Sequence, residues 1–290
     1  MNGIIVIDKP QGKTSHNMVS LMRRLTGIRR IGHTGTLDPM ATGVLPVCIG
    51  SATKAADLLT LSDKCYRAEM ILGKTTDTLD AEGTVTAEFE VNVSEDEIRR
   101  VIKSFEGEIE QIPPMYSAIK QNGKKLYELA RQGVEVERKP RKVIINNIDI
   151  IEINGNKIVI EVSCSKGTYI RTLCDDIGKK LGAGAYMSAL RRIKTGCFEL
   201  KDAYTVDELE KMSEEGTLEK HLKSVDRLFK EYDEIHLNGK QTSCIKNGIR
   251  MSWRGKPEGA MLRLYDNNGD FICISQINDG KLKLIKSFWS

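Results

Sequence analysis

The chain has 290 residues, of which 40% are hydrophobic and 29% are charged, and its formal net charge is +4. This length allows a substantial buried core, and the charge is far below that of a purely electrostatic nucleic-acid binder. No run approaches the roughly 18 apolar residues of a membrane helix and the N-terminus lacks the regions of a signal peptide, so we expect a cytoplasmic protein without membrane contact.

The first part of the chain predicts a strand, a helix and a loop. The β-branched run from Gly3 to Ile7 predicts a buried strand. A helix should follow, because Thr14 or Ser15 can cap its start and Gly27 can end it. The apolar residues of this helix share one face, namely Met18, Leu21, Met22 and Leu25. Residues 32–43 are so rich in Gly, Thr and Pro that they predict a loop.

The middle of the chain mixes strands and helices without the regular βαβ alternation of a parallel sheet. Strands are predicted at residues 44–49, 66–72, 84–89, 143–153 and 157–164. Helices are predicted near residues 124–131 and at 168–181, closed by Gly182. Two capping boxes, Ser94 with Glu97 and Thr205 with Glu208, predict the starts of two more helices. The second of these should continue, with a break at Gly216, to about Phe229.

The texture of the sequence changes after Tyr232. Short apolar runs alternate there with dipeptides typical of hairpin turns, namely Asn238-Gly239, Asn247-Gly248, Asn268-Gly269 and Asp279-Gly280. This pattern predicts a small all-β domain at residues 232–290, after a larger domain at residues 1–231.

Several common chemistries find no support. Gly12-Lys13-Thr14 resembles the end of a phosphate loop, but Ile7 stands where that motif needs a glycine. The 4 histidines lack HExxH spacing and the 7 cysteines form no CxxC pair, so we predict no metal site and no disulfide framework. There is no GxSxG elbow. The cysteines are expected to pack as small apolar residues in a reducing compartment.

Three basic clusters stand out, at Arg29-Arg30, residues 138–142 and Arg191-Arg192. Each could neutralise phosphates of a nucleic acid, but a solvated surface is the more common reason for such a cluster when it is taken alone.

Two polar segments remain as candidates for chemistry. The loop at residues 32–43 places His33 and Asp38 among glycines that allow close approach of the backbone. Alternatively, Asp38 before Pro39 is a turn former. In the second segment, Tyr169 and Arg171 stand where a strand ends and a helix begins, a position suited to anions. Arg171 could also be a surface residue that covers apolar neighbours with its stem.

At these segments the sequence resembles a known family. GHTGTLDPMATG and CSKGTYIRTLCDDIG are similar to the signature segments of TruB-type tRNA pseudouridine synthases. The resemblance extends in the same order through GIIVIDKPQGKTS, DKCYRAEMILGKTTDTLDAEG, IPPMYSAIKQNGKKLYELARQG and LRRIKTG, over about residues 2–200. It implies an α+β catalytic domain with a mixed, mainly antiparallel sheet, and a small C-terminal β domain of the PUA type.

The resemblance also implies roles for individual residues. Asp38 corresponds to the catalytic aspartate. The residues that would bind the substrate base are His33, Tyr66, Tyr169, Arg171 and Leu190. An insertion at about residues 115–141 would grip the T arm of tRNA. The residues expected at the RNA backbone are Lys9, Lys124, Lys125, Arg141 and Lys142.

The implied activity is isomerisation of uridine 55 in the T loop of tRNA by a monomer. The reaction needs no cofactor and no metal. Asp38 would be the nucleophile; attack on ribose C1′, attack on base C6 and abstraction of a ribose proton all remain open. Arg171 is expected to pair with Asp38 and keep it ionised. His33 would fill the space of the extruded base, Tyr66 would stack on it and Leu190 would wall the pocket.

Two alternatives to this activity remain. One is a synthase that acts on another RNA, as in relatives that work within guide-RNA particles. The other is an RNA-binding or tRNA-folding protein without turnover.

Overall fold

The structure is a computed structural model that describes residues 1–117, 119–121 and 123–289, with the backbone but not the side chains of Lys120 and Lys125. Within these residues, no helix combines the length and the apolar character needed to cross a membrane.

The helices and strands alternate irregularly along the chain. The helices are α1 (Ser15–Thr26), α2 (Ala56–Leu61), α3 (Glu95–Lys103), α4 (Leu126–Ala130), α5 (Ile170–Lys180), α6 (Val206–Glu214) and α7 (Gly239–Lys246). The first strands are β1 (Gly3–Lys9), β2 (Ile31–His33), β3 (Thr42–Ile49), β4 (Lys64–Leu72), β5 (Lys74–Thr76), β6 (Val85–Glu88), β7 (Gly107–Gln111), β8 (Lys120–Gln121) and β9 (Lys124–Lys125). The later strands are β10 (Arg141–Asn154), β11 (Lys157–Cys164), β12 (Ala185–Thr195), β13 (Phe198–Glu199), β14 (Asp233–His236), β15 (Met251–Ser252), β16 (Met261–Tyr265), β17 (Phe271–Asn278) and β18 (Lys281–Ser287).

The described part of the chain forms one large sheet and one smaller sheet, besides short hairpins. The large sheet has nine strands, in the order β1-β3-β12-β4-β11-β10-β7, with β2 added to β3 and β13 to β12. Its pairs are antiparallel except β12 with β3. The smaller sheet has five strands, in the order β14-β16-β17-β18-β15. This arrangement confirms the predicted α+β fold with a mixed, mainly antiparallel sheet.

Both faces of the large sheet are covered, and the first strand shows how. On β1, Ile5 and Ile7 join a core to which α1, α3, α5 and α6 contribute apolar residues. Ile4 and Val6 point to the opposite face and join a second core with Phe198 and residues of the C-terminal sheet. The alternation of strand side chains thus fixes β1 between two apolar layers. Such two-sided burial explains its uninterrupted apolar sequence.

The predictions for the first helix are confirmed. Thr14 caps α1 and its side chain accepts a hydrogen bond from the backbone N–H of Asn17, while Gly27 ends the helix in the left-handed region. The prediction of one loop at residues 32–43 is partly wrong, because β2 ends at His33 and β3 begins at Thr42. Pairing with a neighbouring strand overrides the weak strand preference of these residues.

The prediction of an all-β C-terminal region is also partly wrong. The turns at Asn268 and Asp279 do join β16 to β17 and β17 to β18. Asn238, however, caps helix α7, and Asn247 ends it. An Asn side chain can cap the N-terminus of a helix as well as form a tight turn. The spacing of the Asn-Gly dipeptides in the sequence does not distinguish these two roles.

Two further differences concern the middle of the chain. The helix that begins after Thr205 ends at Glu214, and short 3-10 turns replace its predicted continuation. Strand β12, in the centre of the large sheet, was not predicted at all. Its side-chain alternation is broken by irregularities after Met187 and after Arg192, which hides the two-residue period.

Gly43 provides a test of this packing. Its φ is +101°, and an added Cβ would lie 2.2 Å from the carbonyl oxygen of Arg192 on β12. At Gly27 the φ is +69° and nothing lies within 4 Å. Both substitutions by Ala carry backbone strain, but Gly43→Ala also displaces a central strand. We expect Gly43→Ala to lower the free energy of unfolding by at least about 2 kcal/mol more than Gly27→Ala. Urea denaturation measures this, and equal losses would contradict it.

Candidate active site

An ion pair between Asp38 and Arg171 lies at the centre of the site. Asp38 lies on the loop from β2 to β3, and Arg171 lies in the first turn of α5. Arg171 Nη2 is 3.0 Å from Asp38 Oδ2; 6% of the arginine side chain is exposed, against 37% of the aspartate side chain. The guanidinium is therefore buried, while the carboxylate remains open to a ligand.

The same guanidinium contacts other segments. Arg171 Nη1 is 3.3 Å from Asp80 Oδ2 and donates to the carbonyl oxygen of Thr78 at 3.4 Å. Nη2 also donates to the carbonyl oxygen of Tyr116 at 2.9 Å. Thr78 in turn donates from its hydroxyl to Asp80 Oδ1 at 2.6 Å. These partners accept the hydrogen bonds of the buried guanidinium and fix its orientation, so the Arg171 side chain cannot move freely with Asp38.

Burial and neighbouring positive charges act in opposite directions on the pKa of Asp38. Burial raises the pKa of the Asp38 carboxyl above its ordinary value, and this effect exceeds the lowering by the Arg171 charge. Asp80 raises the pKa further, and Lys9 lowers it. The expected ion pair with Arg171 is present, and the Arg171 charge favours the ionised carboxylate, but it does not fully offset the desolvation of Asp38.

Tyr66 on β4 and Arg192 on β12 are neighbours beside the loop that carries Asp38. The two residues are directly paired across these strands. Arg192 is 1% exposed, and it donates to the carbonyl oxygens of Val44 at 2.7 Å and Gly35 at 3.1 Å. Burial raises the pKa of the Tyr66 hydroxyl. The charge of Arg192 and its hydrogen bond lower this pKa, and the charge of Asp38 raises it further. Tyr66 thus lies within the electrostatic reach of Asp38.

The remaining base-binding candidates come from three separate elements, α5, β2 and β12. Tyr169 is the N-cap residue of α5, and its hydroxyl pKa is raised by burial and influenced by Arg171 and Asp38. His33 ends β2; burial lowers its pKa, and Arg192 lowers it further. Leu190 is 9% exposed and lies two residues before Arg192 on β12. Tyr169, His33 and Leu190 thus belong to parts of the chain that are distant in sequence.

The prediction for Lys9 is wrong. Its side chain is fully buried, and Nζ donates to the carbonyl oxygens of Lys13 at 2.6 Å, Pro10 at 2.9 Å and Pro39 at 3.2 Å. Burial lowers the pKa of Lys9 to about 8. An ammonium group held by these carbonyls cannot meet an RNA phosphate. Lys9 instead links the end of β1 to the loop that carries Asp38.

The other predicted backbone contacts lie on or near the insertion. Lys124 and Arg141 are exposed. Lys142 is also exposed, but its Nζ pairs with Glu108 at 2.8 Å. The side chain of Lys125 lies outside the described residues.

Two of the three basic clusters are less free than the sequence suggested. Arg138 pairs with Glu135 at 3.0 Å, so the run at residues 138–142 is partly neutralised within the chain. Arg191 pairs with Asp8 at 2.6 Å, and Arg192 is buried. Both interpretations are therefore wrong for Arg192, whereas the Arg191 side chain is 40% exposed although it is paired with Asp8. Arg29 and Arg30 are exposed.

Sequence reasoning missed two residues of the site. Asp80 lies in a turn that carried no chemical signal beyond turn chemistry. Arg192 was interpreted together with its neighbour as a surface cluster, because β12 was not recognised. Among the described residues, no group of three or more His, Cys, Asp and Glu side chains could hold a metal ion.

Comparison with known proteins defines the class to which this fold and site belong. Family models match residues 23–170 (TruB family pseudouridylate synthase, N terminal domain), 171–230 (tRNA pseudouridylate synthase B C-terminal domain) and 234–283 (Pseudouridine synthase II TruB, C-terminal). The chain belongs to the TruB family of pseudouridine synthases, and it is therefore an isomerase.

Individual relatives agree with this family. The protein named tRNA pseudouridine synthase B of Clostridium perfringens (strain 13 / Type A) is 45% identical over 293 residues, which cover 99% of this chain and 98% of the relative. Its namesake in Alkaliphilus oremlandii is 56% identical over 210 residues, which cover 72% and 70% of the two chains. Among solved structures, a chain of a Cbf5-Nop10-Gar1 complex matches with a TM-score of 0.74 at 27% identity, covering 99% of this chain and 85% of that one.

The buried cations beneath the loop make stability depend on pH. Lys64 Nζ donates to the carbonyl oxygens of Thr60 and Ser62, and burial, with Arg192, lowers its pKa to about 8. In the unfolded chain a lysine titrates near about 10.4. Between about pH 8 and 10 the unfolded state therefore binds more protons, and stability rises with pH. We expect the free energy of unfolding of the wild type to rise relative to that of Lys64→Met over this range. A difference that does not vary with pH would contradict the burial of this charge.

Proposed function

We propose that this enzyme converts uridine 55 in the T loop of tRNA to pseudouridine, with Asp38 as the catalytic nucleophile. The relatives named tRNA pseudouridine synthase B support the substrate class. The observation that carries the role of Asp38 is its geometry. Its carboxylate is partly exposed beside the buried guanidinium of Arg171, and its charge contributes to the raised pKa of the Tyr66 and Tyr169 hydroxyls.

The reaction is an isomerisation whose atoms balance without a co-reactant. The bond between base N1 and ribose C1′ breaks, a bond between base C5 and C1′ forms, C5 loses a proton and N1 gains one. A carboxylate can assist cleavage of the first bond as a nucleophile. The raised pKa of Asp38 suits this role, since a less solvated carboxylate is more reactive once it is ionised. Arg171 stabilises the ionised form during the reaction.

The uridine must leave its stack before it can reach Asp38, at a cost of a few kcal/mol. We assign His33, at the end of β2, to the space that the base vacates. Tyr66 stacks on the extruded base, and Leu190 closes the pocket from β12. Tyr169 contacts the nucleotide beside Arg171. The lowered pKa of His33 favours a neutral ring, which suits a residue that replaces a base inside a stack.

RNA binding is assigned to two regions. The insertion at residues 115–141, with Lys124, Arg141 and Lys142, grips the T arm of the tRNA. Residues 232–290 form a PUA-type RNA-binding domain beside the catalytic domain at residues 1–231. We further propose that the enzyme acts in the cytoplasm, because its relatives are bacterial enzymes named for tRNA, and that it acts as a monomer.

The role of Asp38 is tested by its neutral isostere. Asp38→Asn should abolish release of tritium from C5-labelled uridine in a tRNA transcript, since the amide is neither a nucleophile nor a partner for developing charge. Affinity for tRNA should remain within a few fold, because phosphate and stacking contacts dominate binding. Asp96→Asn, on the exposed first turn of α3, is the matched control and should retain full activity. Activity of Asp38→Asn above about one hundredth of the wild type would disprove the assignment.

The grip of the insertion is tested by the dependence of binding on salt. Lys139→Gln and Arg141→Gln, combined, should weaken tRNA binding and make the slope of log K against log salt shallower by up to about two units, near one unit for each phosphate contact. Single-turnover chemistry at saturating tRNA should barely change. Lys201→Gln, which removes a cation paired with Glu199, serves as the control. An unchanged slope in the double variant would show that Lys139 and Arg141 are merely solvated.

A further inference from the structure

A buried amide connects the edge of the large sheet to the active site. Gln111 is the last residue of β7 and is 2% exposed. Its side-chain oxygen accepts a hydrogen bond from the backbone N–H of Tyr169 at 3.1 Å, and its Nε2 donates to the carbonyl oxygen of Tyr169 at 3.3 Å. One side chain thus satisfies both backbone polar groups of Tyr169. Such a two-point contact fixes position and direction together.

Tyr169 depends on this contact because of its place in the chain. It is the N-cap residue of α5, yet its own side chain makes no capping hydrogen bond. Its carbonyl oxygen also accepts the first helical hydrogen bond, from Leu173 at 3.1 Å. Gln111 therefore fixes the start of α5 from outside the helix. Two residues further on, Arg171 extends to Asp38.

Gln111 also marks the point where residues 112–140 leave the sheet. These residues return at Arg141, which lies directly opposite Gln111 in the pairing of β7 with β10. We call the connection formed by Gln111, Pro113, Arg138 and Arg141 the neck. Arg138 donates across it to the carbonyl oxygen of Pro113 at 3.2 Å. Within the neck, the side chain of Arg138 links the two ends of the insertion, and the side chain of Gln111 links the neck to the backbone of Tyr169.

We propose that Gln111 is a positioning residue for the isomerisation: it holds Tyr169 and Arg171 in their orientation towards Asp38 and connects them to the neck of the RNA-binding insertion. This inference rests on the proposed function. Gln111 does not touch the reacting atoms and acts through Tyr169. The contact of Arg171 with the carbonyl oxygen of Tyr116 provides a second link from the insertion to the same arginine. Binding of the T arm by the insertion therefore stabilises the arrangement that orients the carboxylate.

Gln111→Met tests the positioning role, since it keeps the length of the side chain and removes both hydrogen bonds. On a saturating T-arm hairpin, its single-turnover rate should fall at least about tenfold, because small displacements of catalytic groups are costly. Its affinity for the hairpin should stay within about threefold of the wild type, since phosphate contacts are unchanged. Ile109→Val, a conservative change on the same strand, is the matched control and should behave as wild type in both measurements.

The dependence on pH separates positioning from a general loss of structure. Arg171 lowers the pKa of Asp38, so a loosened Arg171 lets that pKa rise. The rate of Gln111→Met relative to the wild type should therefore decline further as the pH falls. Gln111→Glu should show the opposite trend. Its protonated carboxyl group offers one donor and one acceptor, as the amide does, so its relative rate should recover on acidification. A merely structural loss gives both variants the same trend.

The outcomes distinguish this inference from the function on which it rests. A wild-type enzyme that leaves the hairpin unmodified overturns both. An active wild type with Gln111→Met at the wild-type rate, or with parallel pH trends for the two variants, overturns the positioning role alone. If Gln111→Met does not fold, Gln111→Glu decides: a rate relative to the wild type that does not change with pH contradicts the inference, and a relative rate that rises as the pH falls supports it.

Discussion

The rest of the site depends on the burial of one guanidinium. Arg171 is almost without solvent contact, and a buried cation is costly unless its charge and its donors are matched. Asp38 and Asp80 supply the opposing charges, while backbone carbonyls at Thr78 and Tyr116 accept further hydrogen bonds. Removal of any of these partners would leave the cation partly unpaired. Arg171 therefore holds the turn at Asp80, the start of α5 and the loop that carries Asp38 in one arrangement.

The loop that carries Asp38 is held in a similar way from its other side. Lys9 donates to the carbonyl oxygen of Pro39, while Arg192 donates to those of Gly35 and Val44. These cations bond to the backbone around Asp38 and leave its carboxylate to Arg171. A loop without regular structure is thereby fixed by buried side chains of a strand end and a central strand. Such preorganisation places the carboxylate before the RNA arrives, so little of the binding energy is needed to order it.

Much of this fold could be predicted from the sequence, because its signals are local. The caps of α1 at Thr14 and Gly27 and the apolar run of β1 act within a few residues. The candidate site was predicted from the family resemblance, since His33, Asp38, Tyr169 and Arg171 lie in recognisable segments. Arg192 and Lys9 were misjudged for a different reason. Whether a basic side chain meets solvent or buried carbonyls depends on strands that are distant in sequence. The irregular β12 concealed one of these strands, and no local pattern pairs Gln111 with Tyr169.

The central claim is that Asp38 in this buried arrangement converts uridine 55 of tRNA. The most direct measurement is chemical mapping of pseudouridine, by carbodiimide modification and primer extension, on an unmodified tRNA pool incubated with the wild type or with Asp38→Asn. The account predicts one new stop, at the T-loop uridine, with the wild type, and no stop with the variant. A stop at another position, or a T-loop stop that persists with Asp38→Asn, would contradict it.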